Sequence, residues 1–243
     1  LLVIGGGYVG LEMSSVYGAL GSHITIVEAA STLLPGIDSD LVDVMTLQLE
    51  DYVESIRLNT TVSQLVETPD GIIATFSGPD ANLVEMPFDR VLISVGREPN
   101  VEDLGLSELG VEYTESGFIQ TDKQKRTSLP NIFAIGDVTG GVMLAHKASH
   151  EARVAIEAIA GLPSEWEPPV IPAVVFTEPE IAWTGITETD ARRLGLDVVV
   201  SKFPWSSSGK AIASNLSRGL TKIISESGTE RVVGAGIVGQ GAS

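Results

Sequence analysis

An α/β fold is predicted for this chain by three observations. A strand, a glycine-rich turn, a helix and a second strand follow one another over residues 1–28. Short apolar runs then flank Pro69-Asp70-Gly71, a strong hairpin signal, before another buried run at residues 90–95. Beyond four prolines in residues 163–172 the pattern changes to short strands around one capped helix, which predicts an antiparallel α+β unit.

Leu1-Leu2-Val3-Ile4 is continuously apolar, as a parallel strand covered on both faces must be. Gly5-Gly6-Gly7-Tyr8-Val9-Gly10 then fits G-x-G-x-x-G, with Gly5, Gly7 and Gly10 at the demanding positions. The first glycine permits a tight turn, the second lets the backbone approach a pyrophosphate, and the third lets the helix pack on the strand. The following helix aims N–H groups and partial positive charge at that phosphate. Val9, Met13, Val16 and Leu20 predict its apolar stripe, and Gly21 its C-cap. Residues 24–27 form the second strand and end in Glu28, eighteen residues past Gly10. A carboxylate near that spacing hydrogen-bonds the adenosine ribose hydroxyls, which points to NAD. A 2′-phosphate would want basic residues, and Ala29-Ala30-Ser31 supplies none.

Residues 38–53 predict a helix with Leu41, Val44, Met45 and Leu49 on its apolar face. A short strand at 56–58, hairpin strands at 62–66 and 72–76, a third strand near 83–86 and a buried strand at 90–95 follow. The first unit is therefore Rossmann-like, with a β-meander in place of its last crossover helix. Gly96-Arg97-Glu98-Pro99-Asn100 marks a crossing between domains. Residues 104–109 predict a small helix or loop, 118–122 and 132–135 predict strands, and 144–160 a helix. The last unit predicts strands at 173–176, 198–203, 220–224 and 232–238, with a helix over 187–194.

The 243 residues are 43% hydrophobic, enough for one large domain or two ordinary ones. A net charge of −17 argues against nucleic-acid or anionic-membrane partners, which would repel it. With no cysteine, neither a thiolate nucleophile nor a disulfide can arise within the chain. No apolar run reaches about eighteen residues, so no membrane span is predicted, and a cytoplasmic location is the default expectation. Leu1 stands inside a strand, as expected of a piece of a longer protein.

Residues 5–12, 94–100, 127–138, 143–148, 171–185 and 203–209 together resemble the pyridine nucleotide-disulfide oxidoreductases, in the branch that oxidises dihydrolipoamide for 2-oxo acid dehydrogenase complexes. The resemblance covers the whole chain. It implies an NAD-binding domain over 1–95, the returning part of an FAD-binding domain over 96–165, and the first part of a dimerisation domain over 166–243. It implies FAD and NAD as cofactors, and a homodimer that meets lipoyl domains. The family's redox cysteine pair would precede Leu1 and its histidine base would follow Ser243, so this fragment is expected to be inactive alone. Alternatives are another flavin disulfide reductase or a non-catalytic NAD-binding module.

Asp137 closes a strand, where open α/β sheets bind ligands, and the resemblance gives it an FAD ribitol hydroxyl. The resemblance places Leu144, Ala145 and His146, at the start of a helix, along the flavin N1 and C2 carbonyl edge. Reduced flavin carries negative charge near N1, and a helix amino end suits that charge. Gly96, Gly136 and Met143 are carried over as cofactor-binding neighbours. Tyr8 and Glu12 share one helical face. In relatives such a tyrosine covers the nicotinamide pocket, and such a glutamate supports the hydride site by pairing with a lysine that this chain lacks. His146 and His150 stand four apart, but such a pair is commonly one packed and one surface histidine, and no metal is expected.

Overall fold

The computed structural model describes residues 1–78 and 81–243, with 81–83 described by their backbone alone. It divides the chain into two units, Leu1–Gly96 with Pro172–Ser243, and Arg97–Ile171.

The first unit opens with β1 (Leu2–Ile4), α1 (Tyr8–Ala19), β2 (Thr25–Val27), α2 (Ser39–Leu49) and β3 (Ser55–Arg57). The meander β4 (Thr61–Thr68), β5 (Gly71–Gly78) and β6 (Ala81–Phe88) leads into β7 (Val91–Ile93). A parallel sheet runs in the order β3-β2-β1-β7, and the meander is a separate antiparallel sheet. Leu2 and Val27 pack with Ala74 and Phe76, which seats the meander on the parallel sheet.

Helix α1 departs from its predicted stripe. Its buried face is Gly10, Leu11 and Ser14, whereas Val16 and Leu20 are 48% and 76% exposed within this chain. Close packing is the cause. Ser14 Oγ donates to the Gly10 carbonyl (2.7 Å), and a Cβ at Gly18 would stand 2.9 Å from the Tyr52 ring. Small residues at 10, 14 and 18 flank the buried Leu11 and let the helix lie tight against its neighbours, while Val16 and Leu20 are turned outward.

The carboxyl-terminal part of this unit has β8 (Ala173–Val175), β9 (Glu180–Gly185), α4 (Glu188–Leu194), β10 (Val198–Pro204), α5 (Gly209–Ala213), β11 (Leu220–Glu226) and β12 (Val232–Gly239). Its sheet is antiparallel, in the order β10-β11-β12-β9-β8. The sequence pattern does not predict β9 or α5. Thr187 and Asp190 form a capping box on α4, and Gly195 ends it in the left-handed region. Leu41, Met45 and Leu49 of α2 share one core with Val3, Leu11 and Ile26 and with Val175, Ile181 and Val238. At Gly236 a Cβ would meet Leu41 Cδ1 at 2.4 Å, so the sheet reaches α2 because that position has no side chain.

In the second unit, Val111, Ile119 and Ala134 centre a small core. The strands predicted at 118–122 and 132–135 reduce to isolated bridges, Tyr113 with Ile119 and Arg126 with Phe133. Each pairing is brief: Gln120 donates to Glu112 and Thr114 to Phe118, Ala134 donates to Lys125 and Thr127 to Ile132, while the Ile119 and Ile132 amides turn to Val138 and Leu129. Residues 104–109 form turns rather than a helix. A 3₁₀ turn over Gly136–Thr139 leads to α3 (Ala145–Ile159). Among the described residues no helix is long and apolar enough to cross a membrane.

Candidate functional site

The three motif glycines are glycine for different reasons. Gly5 has φ +108°, and a Cβ on it would lie 2.4 Å from the Ser94 carbonyl oxygen. A Cβ on Gly10 would lie 2.1 Å from the Gly5 carbonyl oxygen. Both are closed by backbone. Ser94 adds a hydroxyl within reach of the Ile4 and Gly5 carbonyls (3.0 and 3.2 Å), tying β7 to the turn. At Gly7 the situation is reversed. Its φ of −79° and ψ of 179° suit any residue, and a Cβ there would meet nothing within 4 Å. Gly7 is also the N-cap of α1, without a side-chain cap, and the first turn holds no acidic residue. First-turn amides have no acceptor inside their own helix. Open space over such amides fits a dinucleotide's diphosphate.

Glu28 ends β2 beside this turn. Its Oε2 accepts from the Gly6 amide and its Oε1 from the Ala30 amide, both at 2.7 Å. A carboxylate has about four lone-pair sites, so two remain for ribose hydroxyls. The structure adds a role that spacing alone does not suggest: Glu28 fastens the glycine turn itself. Tyr8 and Val9 begin α1, with Tyr8 38% exposed. Glu12, one turn on, has Oε1 accepting from the Phe176 amide (2.9 Å), so it has a partner within this chain. Gly96 has φ +148° and faces open space.

The second group of predicted residues lies in the other unit. Gly136 is buried with φ +79°, and Asp137 projects from the turn with its Oδ2 accepting from Arg97 Nη1 at 2.9 Å. Both partners are about half exposed, which leaves carboxylate acceptors for a further hydroxyl, so the turn fits a polyol chain such as ribityl. Leu144 is the N-cap of α3, with no side-chain cap and no acid in the first turn. Met143 and Leu144 are half-buried, and Ala145 and His146 are exposed. His150 stacks edge-on against Trp166 at 4.9 Å.

Sequence reasoning missed two buried charge clusters. Under the Asp137 turn, Glu151 faces Lys125 (2.7 Å) and Lys147 (3.3 Å), and all three are buried. Lys147 and Glu151 continue the helical spacing of Val154, Ala155 and Ala158, which was the available signal. In the first unit, Lys222 Nζ sits between Asp38 (2.8 Å), Asp40 (2.9 Å) and Glu188 (2.5 Å), and its side chain is 1% exposed. Lys202 joins at Asp40 (2.6 Å). Lys222 has the inward parity of Ile224 on β11. Among the described residues these three carboxylates are the one group placed to surround a cation, and the lysine ammonium fills that position. Burial alone would raise the Asp40 pKa, but hydrogen bonds from Lys202 and Lys222 outweigh it and hold the carboxyl below its usual range. Hydrogen bonding from Lys222 likewise lowers Glu188. Desolvation would lower Lys222, yet its bonds to Asp38, Glu188 and Asp40 raise it instead.

The model of the pyridine nucleotide-disulphide oxidoreductases matches residues 1–152, and the model of that family's dimerisation domain matches 171–243. The dihydrolipoyl dehydrogenase of Vibrio cholerae is 45% identical over 98% of this chain and 50% of its own length. That of Bacillus subtilis is 43% identical over 100% of this chain and 52% of its own length. Among solved structures, the Cu(II) complex of the HOCl-induced flavoprotein disulfide reductase RclA of Escherichia coli superposes with a TM-score of 0.89 at 31% identity, covering 99% of this chain and 55% of that one. The chain spans about half the length of the curated relatives it matches. With its glycine turn, its aspartate turn and its antiparallel sheet inside the matched segments, the chain belongs to the pyridine nucleotide-disulphide oxidoreductases.

Proposed function

We propose that the protein carrying this chain is a dihydrolipoyl dehydrogenase, oxidising dihydrolipoamide with NAD⁺, and that this chain supplies its NAD site and one half of its FAD site. Its likeness to the curated relatives supports the substrate and the activity. On this reading residues 1–95 bind NAD, 96–165 belong to the FAD-binding domain, and 166–243 belong to the unit that joins two copies. Lipoyl domains of 2-oxo acid dehydrogenase complexes are the macromolecular partners, and the cytoplasm is the compartment.

Each residue then has a task. Gly7 and the first-turn amides of α1 receive the diphosphate, and Gly5 and Gly10 hold that turn shut against Ser94. Glu28 orients the adenosine ribose. Tyr8 and Glu12 lie one turn apart where the nicotinamide end would enter, Tyr8 excluding water and Glu12 supporting the hydride site. Asp137 accepts from a ribityl hydroxyl. Met143, Leu144, Ala145 and His146 present the amino end of α3 to the flavin edge, while Gly96 and Gly136 let the backbone approach. When bound, FAD supplies the electron relay between a dithiol and NAD⁺.

The observation that carries the proposal is the open face at Gly7 beside the closed faces of Gly5 and Gly10. NADH titration of Gly7→Ala tests it. The substitution suits the local backbone, so the fold is kept, while the added methyl occupies the diphosphate's place. The dissociation constant is expected to rise about tenfold or more, the loss of roughly one charge-assisted hydrogen bond. Unchanged affinity in a folded Gly7→Ala protein rejects the site.

A further inference from the structure

The turn that presents Asp137 is gripped from beneath by charge. Glu151 Oε2 accepts from the Gly136 amide at 2.7 Å. Lys147 Nζ donates to the Gly136 carbonyl (3.1 Å), to the Gly140 carbonyl (2.7 Å) and to Thr139 Oγ1 (3.2 Å). Thr139 Oγ1 lies 2.9 Å from the same Gly136 carbonyl. One peptide residue, Gly136, thus has its donor held by a carboxylate and its acceptor by an ammonium, one helical turn apart on α3. Lys125 completes the cluster through Glu151 Oε1 and lies over the Trp166 ring, and among the described residues its ammonium makes no hydrogen bond to the turn.

Buried ion pairs are poor devices for stability, since well-packed apolar residues often do as well or better. They are good devices for geometry, because each charged group demands its partners at fixed distances. Lys147 spends its hydrogen bonds on residues either side of Asp137, and Glu151 gives one oxygen to the Gly136 amide and the other to Lys125. The geometry points to Lys147 and Glu151 as positioning residues for the flavin: together they clamp the Gly136–Gly140 backbone so that the Asp137 carboxylate is held ready for the ribityl chain. The inference rests on the reading of Asp137 as an FAD contact.

The test uses the full-length protein stripped of flavin and titrated with FAD, followed by quenching of flavin fluorescence. Asp137→Ala is expected to weaken FAD binding about tenfold, the worth of one hydrogen bond to a charged group. Lys147→Met and Glu151→Gln should weaken it to a similar degree. In the Asp137→Ala background, Lys147→Met should add less than about twofold, since residues acting through one contact are not additive. Lys125→Met should lower the melting temperature yet leave FAD affinity within about twofold, because it does not touch the turn. A merely structural cluster would give the opposite pattern, with Lys125→Met and Lys147→Met alike, and independent effects in the cycle. That result overturns the clamp. If Lys147→Met does not fold, Thr139→Val carries the test. Affinity lowered about threefold only when Asp137 is present supports the clamp, and unchanged affinity overturns it. An Asp137→Ala protein that binds FAD as the parent does rejects the flavin contact itself, and the clamp falls with it. An Asp137 effect without a Lys147 effect rejects the clamp alone.

Discussion

The turn at Gly5–Gly10 and the turn at Gly136–Thr139 are fixed by opposite means. The first is held by absence: two glycines let backbone touch backbone, with Cβ positions 2.4 and 2.1 Å from carbonyl oxygens, and Glu28 closes it from the side. The second is held by presence: buried Lys147 and Glu151 grip a short 3₁₀ turn. A steric lock tolerates no added atom but is indifferent to charge. An electrostatic lock tolerates volume changes poorly and loses a partner at great cost. The two should therefore fail differently.

The largest effect is expected at the other buried charge cluster, Lys222. Removing the ammonium in Lys222→Met leaves Asp38, Asp40 and Glu188 facing one another, at a cost of about 3–5 kcal/mol in urea unfolding. Its pH dependence sharpens the contrast. Asp40 and Glu188 are lowered in the fold, so the unfolded chain binds protons more readily in acid. Their contribution is complete above about pH 5 and is lost as pH falls through the depressed values. Lys222 is raised, so its contribution is complete below about pH 10 and is lost as pH climbs through its folded value. The urea midpoint followed across pH should thus fall at both ends, and Lys222→Met should flatten the alkaline fall.

Next comes Gly10→Ala, where a methyl would have to displace backbone. About 3 kcal/mol of destabilisation is expected, with little dependence on pH or salt. Glu28→Gln comes third. One of its two amide partners would then face an N–H donor instead of an oxygen, at about 1–3 kcal/mol, and NADH affinity should fall with it. The smallest stability effect is expected at Gly7→Ala, within about 1 kcal/mol, although its NADH affinity should fall most sharply relative to stability. If Gly7→Ala and Gly10→Ala unfold alike in urea, the distinction between an open and a closed glycine is wrong.

Much of this was legible in residue order. The glycine motif, the strand on either side, Glu28 and the hairpin at Pro69-Asp70-Gly71 each follow from local stereochemistry, which neighbouring residues suffice to express. Capping of α4 by Thr187 and Gly195 is local in the same sense. The buried face of α1 differs from its periodic apolar stripe because periodicity reports only where apolar residues recur, whereas packing selects the close approach that Gly10, Ser14 and Gly18 allow beside Leu11. The strands expected near 119 and 133 shrank to bridges because a strand exists only where a partner runs beside it, and that is a property of distant chain.

The order of residues by itself determined a glycine-rich turn opening a helix, a glutamate at the end of the next strand and a Gly-Asp turn ahead of a helix, because each is a pattern of residue types in sequence. Only the tertiary structure decided that Glu28 also pins Gly6, that Glu12 meets the Phe176 amide, and that Lys147 and Glu151 lie beneath Asp137. A charged side chain looks like a solvated one until folding brings the partners that make its burial tolerable, and those partners are set by long-range packing.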